Sequence, residues 1–172
     1  MQSSTVSLYS FGYREARTYI FALLFVAGNV LLPQLFHLLP SGGRMWLPIY
    51  FFTLIASYKY GWRVGLLAAV LSPMVNSALF AMPPVAALLP ITVKSVLLAV
   101  AAGFAASHFK RVSLLLMAAV VLTYQVVGSL FEWGVTGSAE VAWQDFTVGI
   151  PGMLLQVVGG WLLVGLLSRR RA

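Results

Sequence analysis

The chain has 172 residues, of which 60% are hydrophobic and 9% charged, with a mean hydropathy of +0.92. A soluble domain carries about a quarter charged residues, so there is too little polar surface to cover a water-soluble globule, and an integral membrane protein is expected. The formal charge of +7 is split into small basic groups between apolar runs, which argues against nucleic-acid binding and for anionic lipid headgroups as the electrostatic partner; with no cysteine, disulfides, thiolate catalysis and Cys-ligated metals are excluded.

In chain order, residues 1–17 form a basic N-terminal segment, and six apolar stretches follow, each near the ~20 residues that cross a bilayer. They are 18–36, 45–60, 62–80, 88–109, 112–131 and 146–168. The first is expected to be retained as a span, because Asn29, Pro33 and Gln34 interrupt it and no small-residue cleavage site follows. The fold class is therefore an all-α membrane protein of six transmembrane helices in a single integral membrane domain. With the N-terminus inside, the inner segments hold Arg14, Arg17, Lys59, Arg63, Lys110, Arg111 and Arg169 to Arg171, against Arg44 alone in the outer loops. Nine cations against one place both termini in the cytoplasm. Small residues recur every four positions at Gly61/Gly65, along Ser95, Ala99, Gly103 and Ser107, and at Gly152 and Gly160 around Gln156. Such stripes let helix backbones approach closely, within the bundle or against a partner protein.

This orientation sets the depth of each polar residue. Lys94 falls about six residues, or ~9 Å, below the outer end of the fourth span. Asn76 lies in the outer part of the third. Gln125, Ser129 and Glu132 share one face of the fifth, and Asp145, Gly149, Gly152 and Gln156 one face of the sixth. Polar side chains of four helices thus converge on the outer half, over an almost purely apolar inner half. That asymmetry predicts a pocket open to the outside and closed beneath, not a pore, which would be polar along its length. The segments 37–46 and 81–90 could lie over it. Lys94 itself has three readings: a side chain snorkelling to the interface, an ion pair with Glu132 or Asp145, or a contact to an anionic substrate group.

Several chemistries have no carrier. There is no G-x-x-x-x-G-K-[ST], H-E-x-x-H or G-x-S-x-G. His37 and His108 fall on opposite sides of the membrane, and the few carboxylates form no close dyad for acid–base work. No enzyme, catalytic residue, metal site or cofactor is expected.

The run YGWRVGLLAAVLSPMVNSALFAMPPVAALLP, residues 60–90, resembles the substrate-binding S components of energy-coupling-factor vitamin transporters. The likeness rests on an aromatic residue before Gly61, on Gly65 four residues later, and on the proline turn at Met82-Pro83-Pro84. Span count and length extend it to the whole chain. The resemblance implies a vitamin-sized solute held in an outward pocket, with a separate transmembrane coupling protein and two ATPases driving its release inside. It also implies a prokaryotic cytoplasmic (inner) membrane. The candidate substrate contacts are Lys94, Asn76, Glu132, Gln125, Arg44, Trp46, Tyr50 and Asp145, with the aromatics lining or stacking on the ligand. Family members often dock the coupling protein through small residues of helix one. Here Ala22, Ala27 and Gly28 occupy that place without a clean A-x-x-x-A. The chain begins Met1-Gln2 rather than with the Met-His terminus of the metal-uptake branch. Two other classes fit the composition: an MreD-type scaffold of cell elongation, and a self-sufficient small membrane transporter.

Overall fold

A computed structural model describes residues 8–38 and 45–168, and among these the secondary structure is entirely helical. Seven helices follow in order: α1 Ala16–Phe36, α2 Pro48–Tyr60, α3 Trp62–Phe80, α4 Val85–Phe109, α5 Leu114–Thr136, α6 Ala139–Val148 and α7 Ile150–Ser168. Five of them, α1, α3, α4, α5 and α7, are long and apolar enough to cross a membrane. They expose large apolar side chains such as Leu31, Leu115 and Leu154, which in water would be a liability and in lipid is the expected surface.

α2 differs from the expectation. Its 13 residues span only ~20 Å at 1.5 Å per residue, short of a ~30 Å hydrocarbon layer. Leu47 adopts a left-handed backbone immediately before Pro48, which starts the helix, so the expected 45–60 span is broken near its beginning. Ten of the 13 residues are buried. α2 is the axis of the bundle, packed against α1, α3, α4 and α7. A helix that is apolar on every side is a buried one; periodicity alone does not distinguish it from a lipid-exposed span.

The other bounds shift as well. α4 begins at Val85, with Pro84 as its cap and Pro90 inside it, so most of the expected 81–90 loop is helix. α5 runs on to Thr136. The expected 146–168 span is two helices, with Gly149 between α6 and α7.

Small residues set the close approaches. A β-carbon at Gly65 would overlap Ser57 of α2, one at Gly103 would overlap Trp62, and one at Gly160 would press on Leu54. Ser57 Oγ donates to the Ala99 carbonyl. Among the described residues these stripes therefore serve internal packing. At Gly61, φ is +103° and ψ is 156°, a combination reserved for glycine, and it turns the chain from α2 into α3 within one residue. Across this turn, Tyr9 and Phe11 N–H donate to the carbonyls of Lys59 and Tyr60 at 2.9 and 3.3 Å. Tyr9, Phe11, Phe21 and Tyr60 stack beside them.

Antiparallel connections segregate the charge. Arg14, Arg17, Lys59, Arg63, Lys110 and Arg111 belong to one end of the bundle; Glu132, Glu140 and Asp145 belong to the other.

Candidate functional site

Three charged side chains from three helices meet at the acidic end. Lys94 Nζ of α4 donates to Glu132 Oε2 of α5 at 2.6 Å and to Asp145 Oδ2 of α6. The lysine is 2% exposed, against 14% for the Glu132 side chain and 27% for that of Asp145. Because α4 starts at Val85, Lys94 lies nine residues, or about 14 Å, from the helix end rather than ~9 Å. It does not snorkel. The ion-pair reading holds, with both carboxylates rather than one.

α5 is built to admit this lysine. A β-carbon at Gly128 would overlap Lys94 Cγ, so the lysine stem crosses α5 where there is no side chain. Gln125, Ser129 and Glu132 lie on the same face at helical spacing. On this face of α5, three buried polar atoms have no protein partner: both amide atoms of Gln125 and the hydroxyl of Ser129. Gln125 is fully buried. Native interiors satisfy the great majority of such groups, so their concentration beside an ion cluster distinguishes this face from ordinary packing.

Tyr50 of α2 is also buried. Its ring centroid is 5.4 Å from that of Tyr124, whose hydroxyl donates to Gln156 Oε1 at 2.9 Å. Trp46 stacks on Phe36 at 5.6 Å, and its backbone covers Gly152. It connects the start of α2 to the start of α7. Arg44 lies outside the described residues.

Asn76 does not join this group, contrary to the convergence expected of four helices. It belongs to a second polar cluster formed by α1, α2 and α3. Pro33 has no N–H, so the Asn29 carbonyl four residues earlier loses its helical donor. Asn76 Nδ2 supplies one at 2.9 Å and also donates to the Ser72 carbonyl at 3.1 Å. Asn29 Nδ2 in turn donates to Thr53 Oγ1 and Ser72 Oγ at 2.9 and 3.1 Å, and its Oδ1 accepts from the Phe52 N–H. One Asn76 donor thus repairs the gap left by Pro33 and the other binds the Ser72 carbonyl of its own helix, so both are engaged within this second cluster. Sequence reading placed Asn76 at the right end of the bundle but could not see which carbonyl it faced.

The docking trio on α1 is divided too. Ala22 is buried in the core and Gly28 abuts the Phe52 ring, while Ala27 is exposed. The outward face of α1 carries Ile20, Leu23, Leu24, Leu31 and Leu35 instead.

Chemically, the cluster puts two carboxylates around one ammonium, so Glu132 and Asp145 are close neighbours, contrary to the expectation from sequence that no carboxylates would come together. With all three groups ionised it carries a charge of −1; the ammonium is buried while the carboxylates keep partial access to solvent, and unpartnered amide and hydroxyl groups share the α5 face. Compared with family models, curated proteins and solved structures, the chain matches none.

Proposed function

We propose that the chain is the membrane binding subunit of an energy-coupling-factor type importer in the cytoplasmic membrane of a prokaryote. It captures a vitamin- or cofactor-precursor-sized solute at the acidic, outward end of the bundle. A separate coupling protein and two ATPases energise its release inside. The observation that carries this reading is the meeting of Lys94, Glu132 and Asp145 from three helices at one end, on the α5 face that also carries the unpartnered Gln125 and Ser129. Burying ionised groups in a low-dielectric interior is costly, and a bundle that needed only to stand in lipid would be better served by apolar side chains. The charge segregation supports the orientation, since the basic end faces the cytoplasm under the positive-inside rule. The resemblance of residues 60–90 to S components supports the division of labour with separate ATPases.

The test is reconstitution. Chain purified in detergent should retain a small molecule identifiable by mass spectrometry. In liposomes, the chain alone should bind that molecule without accumulating it. Accumulation without ATPases would replace this reading with a self-sufficient transporter. No bound molecule and no binding across a vitamin panel would leave a scaffold as the better account.

A further inference from the structure

We infer that the site takes a cationic ligand group, an organic ammonium or amidinium, held by Glu132 and Asp145 beside Lys94. This deepens the proposed capture role and rests on it. A buried lysine seen in sequence alone suggests an anionic ligand. The geometry reverses that sign, because Lys94 is already engaged by both carboxylates and they outnumber it. An entering anion would have to displace an intramolecular carboxylate from the ammonium and then remain close to it. An entering cation would answer the surplus charge.

Unpartnered polar atoms mark the same place as open to a ligand. Gln125 is fully buried with both amide atoms unused, and the Ser129 hydroxyl is also without a partner. These groups can accept hydrogen bonds from N–H donors, as the carboxylates can. They lie at helical spacing on the α5 face where Gly128 admits the Lys94 stem. Lys94 then acts as a positioning residue: it keeps the two carboxylates together.

The experiment uses full-length chain in nanodiscs and pairs of probes that share a ring and differ in charge: benzylamine and benzoate, tryptamine and indole-3-acetate, pyridoxamine and 4-pyridoxate. Binding is read by calorimetry and by the shift in unfolding temperature. At least one amine should bind tenfold or more tightly than its carboxylate counterpart. Asp145→Asn and Glu132→Gln, which keep side-chain shape and leave Lys94 one carboxylate, should each weaken that binding tenfold or more. Any molecule that co-purifies should carry a positive charge. Preference for the carboxylates, equal binding of both members, or amine binding unchanged in both variants overturns the inference. A carboxylate ligand lost on Lys94→Met would overturn the charge assignment and leave solute capture intact. Failure of every probe, with nothing co-purifying, would overturn both.

Discussion

Charge imbalance in the triad predicts an asymmetry between two substitutions that each remove one charge. Lys94→Met deletes the only cation among the three groups and leaves Glu132 and Asp145 facing one another. Removing one partner of a buried ion pair costs about 3–5 kcal/mol. The carboxylate side chains keep 14% and 27% exposure, and this partial access to water places the cost near the lower end, about 3 kcal/mol. For a chain of this length that is a fall of roughly 6–12 °C in unfolding temperature. Glu132→Gln removes the surplus charge instead and leaves a one-to-one Lys94–Asp145 pair. Its cost should be under about 1 kcal/mol, since a neutral hydrogen bond replaces a charged one while the electrostatic imbalance is relieved. The assay is thermal unfolding of both variants in the same detergent at pH 7, followed by intrinsic tryptophan fluorescence. Equal losses, or a larger loss for Glu132→Gln, would refute the claim that Lys94 is the outnumbered partner. A small loss for Lys94→Met would show that the pairing is not formed in the membrane-embedded protein.

Other outcomes follow from the remaining contacts. Asn76→Ala should cost about 1–3 kcal/mol by leaving the Asn29 carbonyl without a donor, and Pro33→Ala in the same chain should recover part of it by restoring the helical N–H; strict additivity in denaturation would sink this account of Asn76. Gly65→Val should cost about 1–3 kcal/mol through overlap with Ser57, whereas Gly134→Ala, with open space at the β-carbon, should be neutral or stabilising. Unfolding temperatures of the two compared with the parent decide it. Because the chain has no cysteine, single-cysteine variants report orientation directly. Glu140→Cys should react with an impermeant maleimide added outside intact cells, and Lys110→Cys only after lysis; the opposite pattern would invert the topology.

The membrane class, the run of long apolar helices and the segregation of charge were legible in sequence because each depends on composition or on period. The partner of Lys94 was legible as an alternative, since Glu132 and Asp145 were the acids within reach of the same end. What was not legible depended on neighbours in space. α2 reads like a span, and its burial follows only from the four helices around it. The break at Gly149 is marked by Pro151 and Gly152 just beyond it, but the apolar run on either side hid it. Asn76 looked like a site residue until Pro33 showed which carbonyl lacked a donor. Gln125 stood on the same helix face as Glu132, but its lack of a protein partner is a property of the folded bundle alone.

Native mass spectrometry of the full chain released from nanodiscs, parent beside Asp145→Asn, bears most directly on solute capture at the acidic end. The account predicts one small molecule per parent chain, depleted at least tenfold in the variant while the variant's unfolding temperature stays close to that of the parent. A parent chain that carries nothing after gentle purification and binds none of the vitamins offered, or a ligand retained equally by the variant, would contradict it.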